Sequence, residues 1–518
     1  VLISTTVSVI PQVVLDKSQF DNLIPVHFHY QIMDLAIALD SNSALPLHQQ
    51  LYQELRQAIL SGRLSPERRV PSTRSLAQSL GVSRTTVTQS YEQLLSEGYL
   101  TTIVGSGTFV CAQLPDDLLH STPIESSQIT RPPIKLNRYG AGLAQIENVP
   151  KITEPDAPIN FRYGRPAFDQ FPLKLWRRLL SRYFYCNLSW LDYSTEPLGY
   201  KPLREAIARY LSTSRAVKCE PNQVLIVNGT QQALDLIVRL LIEPGDVIAL
   251  EDPGYMSARL IFQSQGAQLL PITVDSSGLI VKELVYASQP IPLVYVTPSH
   301  QFPTGAILSL PRRLELLAWA QQTGGLIIED DYDSEYRYGD RPIPALQGLD
   351  RSDSVLYIGT FSKVLFPGLR IGYLVLPKSL VSLFARAKWL SDRHLPLLEQ
   401  QVLADFIAEG HLERHIRKMR SLYERRCQVL VKALNVHFGQ RATILGEKAG
   451  IHLMVKLHSY LNDEEIIQRA AQMGVGMMSA KLQYLKPNNT GEFIFGYGEL
   501  SDQQLVEGIR RLAQILVL

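Results

Sequence analysis

The stretch Thr360-Phe361-Ser362-Lys363-Val364-Leu365-Phe366-Pro367-Gly368-Leu369-Arg370-Ile371-Gly372 decides how most of this 518-residue chain is read. A lone lysine is normally a surface residue. One set between Phe361 and the run Leu365-Phe366-Pro367 lies beside apolar surface, where an ammonium is costly unless it is paired. Just before it, the run from Val355 to Ile358 has the look of a short buried strand. Four more apolar runs precede it, at 224–227, 247–250, 293–296 and 326–328, with helical segments at 230–242 and 309–322 between them. This alternation predicts an α/β body with a largely parallel sheet over 158–394. From 395 to 518 the pattern becomes helix-rich with a few strands, which predicts a smaller α+β C-terminal lobe.

Polar residues gather where those strands end. Ile327-Ile328-Glu329-Asp330-Asp331-Tyr332 closes one strand, with Asp330 the stronger candidate and Asp331 the weaker duplicate. Asn228-Gly229-Thr230-Gln231-Gln232 lies between a strand and a helix, where backbone N–H groups attract an anion. Tyr255 ends the Glu251–Tyr255 segment after another strand, and Thr360 precedes Lys363 by three positions. The carboxyl ends of parallel strands are where α/β sheets bind ligands.

The N-terminal part has a different period. Leu47, Leu51, Leu55 and Ile59 make one apolar stripe after Pro46, and Gly62 stops the helix. Pro71-Ser72-Thr73 opens a second, short helix. Gly81-Val82-Ser83 is a turn with Ser83 as N-cap of a third helix, which buries Val87, Tyr91, Leu94 and Leu95. The segment 98–110 reads as a hairpin. Three helices and a hairpin make a winged helix-turn-helix within 33–111. Six arginines, at 56, 63, 68, 69, 74 and 84, face four glutamates there. Arg84, Thr85, Thr86, Thr88 and Gln89 would point outward from the third helix, with groups suited to base edges in a major groove. Arg74, in the first turn of the second helix, is placed for a phosphate. Residues 112–157, rich in proline and without a period, read as a linker. Residues 1–32 precede the first methionine, Met33, and read as an unstructured or mis-called extension.

Composition adds limits. With 51 basic and 49 acidic residues the net charge is only +2, so any nucleic-acid contact must be local. Four scattered cysteines show no metal or disulfide spacing and suit a reducing compartment, giving a cytoplasmic, nucleoid-associated expectation. No metal site and no membrane partner are expected; the chain lacks the long apolar run of a membrane span.

The segments Val70-Pro71-Ser72-Thr73-Arg74-Ser75-Leu76-Ala77, Leu80-Gly81-Val82-Ser83-Arg84-Thr85-Thr86-Val87 and Gly105-Ser106-Gly107-Thr108-Phe109-Val110 closely resemble the GntR-type DNA-binding domain. The Lys363 segment resembles that of fold-type I aminotransferases, which bind pyridoxal 5'-phosphate (PLP). Val296-Thr297-Pro298-Ser299-His300-Gln301-Phe302-Pro303-Thr304-Gly305 and the run from Asp330 to Tyr338 are similar to the MocR subfamily of GntR regulators, over about 33–518. The resemblance implies that Lys363 is the reactive residue that bonds PLP. It also implies that Asp330 faces the pyridine nitrogen, Tyr332 the ring hydroxyl and Tyr255 the ring face. Gly229, Thr230, Gln231, Thr360 and Arg370 would hold the phosphate. Arg74, Arg84 and the wing glycine Gly107 would approach a double-stranded DNA operator, with Arg63 and Arg69 as further backbone contacts. A head-to-tail homodimer is implied, with PLP or an amino compound as the effector of promoter binding.

Two positions depart from the enzymes. Phe302 stands where they carry an asparagine that bonds the ring hydroxyl, leaving Gln301, His300 or Tyr332 alone for that task. Ile494 or Phe495 stands where they carry a carboxylate-binding arginine, and no arginine occurs from 482 to 509. An apolar side chain cannot make that bidentate contact; Arg162 or Arg165 would have to replace it. The reading that follows is a PLP-sensing transcriptional regulator with vestigial or no transaminase activity. The alternatives are an active aminotransferase carrying a DNA-binding domain, and a cofactor-free dimerisation scaffold.

Overall fold

A computed structural model describes residues 31–32, 35–116, 134–144, 146, 157–186, 189–339, 343–486 and 491–516. Nearly all of the N-terminal extension and most of the 112–157 segment lie outside the described residues. The chain divides into two units, 1–133 and 134–518.

In the first unit, helices Leu47–Leu60, Thr73–Leu80 and Arg84–Ser96 precede the hairpin Leu100–Ile103 with Gly107–Val110. The Ser72 hydroxyl accepts from Ser75 N at 3.1 Å and the Ser83 hydroxyl from Thr86 N at 3.1 Å, so each short helix starts on a side-chain cap. Leu51, Leu55, Ile59, Leu76, Val87, Tyr91 and Leu94 meet in one core. The Tyr91 hydroxyl donates to Pro71 O at 2.9 Å and ties the third helix to the start of the second. Leu114 joins this core, and Asp116 accepts from the Tyr99 hydroxyl at 2.6 Å. The first residues of the 112–157 segment are therefore folded onto the winged domain.

The second unit is built on eight strands in the order Val224–Val227, Gly372–Val375, Val355–Thr360, Leu326–Asp331, Leu293–Val296, Val247–Asp252, Gln268–Asp275 and Gly278–Leu279. Gly372–Val375 runs antiparallel to both neighbours, whereas the central pairs are parallel. Side chains alternate between the two faces along each strand, and both faces are buried because helices cover each of them. Leu225 and Val227 pack under helices Gly229–Leu241 and Met256–Ser264. Val224 and Ile226 pack under Lys201–Arg215 and Leu397–Ala408 on the other face. The smaller lobe has the strand order Ala442–Leu445, His452–Leu457, Glu492–Gly496 and Met478–Ser479, covered by helices His411–Phe438 and Asp502–Leu516.

Tertiary pairing cuts across the sequence boundaries. Ile159–Asn160, read with the large lobe, pairs with Val475–Gly476, and Ile159, Phe161 and Ala167 enter the small-lobe core. Helix Leu397–Ala408, read with the small lobe, buries Val402, Leu403 and Phe406 in the large one. The 112–157 segment, read as aperiodic, carries a helix at Arg138–Ala144 lying against Met256–Ser264.

Candidate functional site

The parallel strands end around a cavity of about 360 Å³ lined by Thr230, Gln231, Tyr255, Asp330, Tyr332, Thr360, Lys363 and Arg370, together with residues not singled out beforehand. All but one of the residues expected for the cofactor thus meet in one place. Gly229 is not itself on the wall; it begins the helix whose next two residues are.

Lys363 reaches Gly164 O with Nζ at 3.0 Å. Burial pulls its ammonium below the ordinary lysine range, while Asp333 and Asp330 oppose that shift. The first turn of Gly229–Leu241 opens toward the cavity, and its leading N–H groups have no intrahelical partner. Arg370 lies against that turn, with Nη2 donating to Asn228 O at 2.9 Å and Nε to Asn228 Oδ1 at 3.1 Å. Gly229 has φ 72°, and a Cβ there would stand 2.9 Å from Arg370 Nη2. Only glycine lets the guanidinium and the helix start come this close. Together they form an exposed cationic cradle for a dianion.

Asp330 is buried at the opposite end. Its Oδ2 accepts from the Tyr295 hydroxyl at 2.7 Å, and its Oδ1 has no partner among the described residues. Burial raises its carboxyl to about 7, opposed by the Tyr295 hydrogen bond and assisted by Asp331. The folded chain therefore holds a proton that the unfolded chain releases. The stability this brings is fully present below about pH 4 and is lost as pH rises through about 7. Asp330→Asn cannot ionise. In ligand-free protein it is expected to gain on the parent by on the order of 2 kcal/mol between about pH 5 and about pH 8. Urea-unfolding midpoints at the two pH values check this, and parallel shifts of parent and variant would count against it.

Asp331 lies on the other face of the strand. It accepts from Arg215 Nε at 2.8 Å and from the Tyr357 hydroxyl at 2.6 Å, so it is a structural ion-pair residue and not a second ring acid. Tyr332 lines the cavity, its hydroxyl 3.0 Å from His300 Nδ1. Gln301 is turned away: its amide donates to Pro253 O at 2.8 Å and Phe302 O at 2.6 Å. His300 lies behind Tyr332, outside the lining. Of the three candidates for a ring hydroxyl, Tyr332 is the one exposed to the cavity. Tyr255 stands at the start of Met256–Ser264, edge-on to Phe302 at 5.9 Å.

Ile494 is fully buried with Phe302, Met454 and Ala480, behind the cavity wall. Phe495 packs in the small-lobe core. Arg162 lines the cavity and also an adjoining one of about 660 Å³, whereas Arg165 reaches only the second and pairs with Glu499 at 3.2 Å. Tyr295, Tyr163, Thr297 and His452 also line the site and had not been anticipated. Tyr295 sits inside an apolar strand and His452 comes from the other lobe, so neither carried a local signal.

In the winged unit, Arg74, Arg84, Thr85 and Gln89 are exposed, as are Arg63 and Arg69. Thr86 and Thr88 are half-buried, and the Thr86 hydroxyl is 2.8 Å from that of Ser83, within the cap. Arg84 Nε donates to Thr73 Oγ1 at 3.4 Å, which brings the starts of the second and third helices together. Gly107 opens the second wing strand opposite Ile103; the turn itself is Val104-Gly105-Ser106.

Residues 47–110 match the family described as bacterial regulatory proteins, gntR family, and residues 172–504 match aminotransferase class I and II. The chain is 40% identical to the probable rhizopine catabolism regulatory protein MocR of Rhizobium meliloti, over 92% of this chain and 95% of that one. It is 32% identical to the pyridoxine biosynthesis transcriptional regulator PdxR of Corynebacterium glutamicum, over 78% and 82%. In structure it is similar to LysN, the α-aminoadipate aminotransferase of Thermus thermophilus, with a TM-score of 0.67 and 28% identity, over 74% of this chain and 98% of that one. A winged helix-turn-helix unit and an aminotransferase-type body in one chain define a class of fused transcriptional regulators. Within that class, this chain belongs to the MocR-type GntR family, with a fold-type I aminotransferase domain. Among the described residues no helix is long and apolar enough to cross a membrane.

Proposed function

We propose that the chain is a transcriptional regulator that binds PLP at Lys363 and changes its grip on a double-stranded DNA operator in response. One observation carries this. The cavity combines a lysine whose charge burial disfavours with an orphaned, buried carboxylate oxygen on Asp330. That oxygen suits a protonated pyridine nitrogen, and the Gly229–Arg370 cradle suits a phosphate. When bound, PLP supplies an electrophilic carbonyl carbon and an electron-withdrawing ring. The residues of the chain do the rest. Lys363 would offer its amine, Asp330 would hold the ring nitrogen's proton, Tyr332 would donate to the ring hydroxyl, and Tyr255 would cover a face. Thr230, Gln231 and Thr360 complete the phosphate contacts.

Ile494 supplies no charge for an α-carboxylate, which favours PLP itself or an amine without that group as the signal. Arg162 is a further cation on the cavity wall, besides Lys363 and Arg370. The likeness to a regulator of pyridoxine biosynthesis agrees with PLP as the signal. The working form is a head-to-tail homodimer, whose two winged units would read paired half-sites. Binding can shift such an assembly only through unequal affinity for its states. The test is operator affinity of the ligand-free and PLP-loaded protein at fixed salt, since phosphate contacts make affinity salt-dependent. An affinity or footprint that ignores PLP would sink the proposal.

The second reading, an aminotransferase with an attached DNA-binding domain, rests on the same complete lysine, acid, tyrosine and arginine set. Steady turnover of an amino acid by the PLP-loaded protein would establish it. On the DNA side, Arg84→Ala is expected to weaken operator binding by about 10–100-fold, as loss of a bidentate guanine contact does. Fluorescence anisotropy at one salt concentration measures this, with unchanged affinity for unrelated DNA as the sign of base reading.

A further inference from the structure

Behind Tyr332 lies a buried pair that no part of the proposed site requires. His300 and Asp333 are 2% and 1% exposed. His300 Nδ1 stands 2.9 and 3.1 Å from the two oxygens of Asp333 and 3.0 Å from the Tyr332 hydroxyl. The space for this pair is made by Gly450, a small-lobe residue at φ 80°. A Cβ there would lie 2.1 Å from His300 Cε1 and 2.7 Å from Asp333 Oδ2. Two lobes therefore cooperate to seat one imidazole against one carboxylate.

We infer that Asp333 and His300 are positioning residues that make Tyr332 a dedicated hydrogen-bond donor into the cavity. A ring nitrogen offers one hydrogen or one lone pair. Asp333 as a carboxylate only accepts, so Nδ1 carries the hydrogen. That hydrogen is shared between Asp333 and the Tyr332 oxygen, which must then accept. The phenol's own proton is left to point elsewhere, and Tyr332 lines the cavity. The phenol also keeps that proton, because burial, Asp333 and Asp330 push its ionisation well above the usual tyrosine range. Had Nδ1 been unprotonated, Tyr332 would donate inward to it and be lost to any ligand. His300, Asp333 and His452 place ligand atoms within 4.8 Å of one another, but the short Nδ1–carboxylate contact already commits Nδ1 and Asp333 to each other, leaving only His300 Nε2 without a partner among the described residues.

This deepens the PLP reading and rests on it. A donor at the ring hydroxyl favours its anionic form, so the bound chromophore titrates at lower pH with Tyr332 aligned. The other titratable groups acting on this chain of contacts include His452, Asp330, Asp331, Glu251 and Lys363, all of which the variants leave in place. The experiment is an absorbance titration of the PLP-loaded full chain for the parent, His300→Leu, Asp333→Asn, Tyr332→Phe and the His300→Leu/Tyr332→Phe pair. His300→Leu and Asp333→Asn are expected to raise the chromophore's apparent pKa by about one pH unit. His300→Gln, which keeps an N–H donor, should recover part of that shift. In the Tyr332→Phe background His300→Leu should add nothing, which a merely structural role would not predict. A parent-like titration in both single variants, or full additivity in the pair, overturns the inference while leaving PLP binding intact. A parent chain that forms no chromophore with PLP overturns the binding reading itself. Thermal melts of the ligand-free variants identify any that fail to fold, and Asp333→Asn, which keeps the side-chain volume, then decides.

Discussion

Lys363→Ala is expected to bind the operator as the ligand-free parent does and to stop responding to PLP. The variant lacks the only lysine amine among the described residues that line the cavity. The phosphate contacts and Asp330 remain, so PLP still associates, but without a covalent tether. Cofactor retention should fall by about 100-fold or more, close to 3 kcal/mol. The winged unit keeps its own core, so DNA affinity in the absence of PLP should be unchanged. Gel filtration of PLP-loaded protein reads the first effect, and operator anisotropy with and without PLP reads the second. A PLP response that survives in the variant would move the sensing elsewhere. Loss of DNA binding without any ligand would mean that Lys363 serves the fold.

Arg215→Ala should produce the largest loss of stability. Arg215 and Asp331 are 3% and 2% exposed at the side chain and meet at 2.8 Å. Arg215 also donates to Ser299 Oγ at 2.7 Å and to Ile343 O. Burial works against its charge, and Asp331, Tyr357 and Glu329 outweigh that and hold it cationic. Removing the guanidinium leaves Asp331 charged, buried and short of a partner, which costs about 3–5 kcal/mol. That is a large share of a typical folding free energy of about 5–15 kcal/mol. Urea unfolding followed through the aminotransferase-type unit checks it. A variant that unfolds within about 1 kcal/mol of the parent would show that water or a shifted side chain replaces the arginine. The double variant Arg215→Met/Asp331→Leu should recover much of the loss, because no lone charge then remains.

The ion pair also shows where reading along the chain stops. Asp330 and Asp331 are adjacent, chemically identical, and both close to a strand end. Period-two alternation sends them to opposite faces, but which face holds the cavity depends on what packs there. Arg215, over a hundred positions upstream, claims Asp331 and leaves Asp330 to the site. The same holds for His300. Its sequence position beside the expected asparagine site made it a candidate for direct contact. The fold instead puts it behind Tyr332, because Asp333 and Gly450 receive its ring.

Local chemistry by itself determined a good deal. The 3.6-residue stripes, the stop at Gly62 and the cap at Ser83 were enough for the helices of the winged helix-turn-helix, since each is an interaction among near neighbours. The apolar runs marked the central strands of the sheet, and the polar clusters at their ends marked Asp330 and Thr230, whereas the roles expected of Lys363 and Arg370 came from the family resemblance. Only the tertiary structure decided which lobe owns Ile159–Asn160 and helix Leu397–Ala408. Only it brought Tyr295 and His452 to the cavity and buried Ile494 behind Phe302. Those outcomes depend on contacts between residues far apart in the chain. Such contacts form when an apolar face or a buried charge finds its partner, and no local pattern records which partner that is.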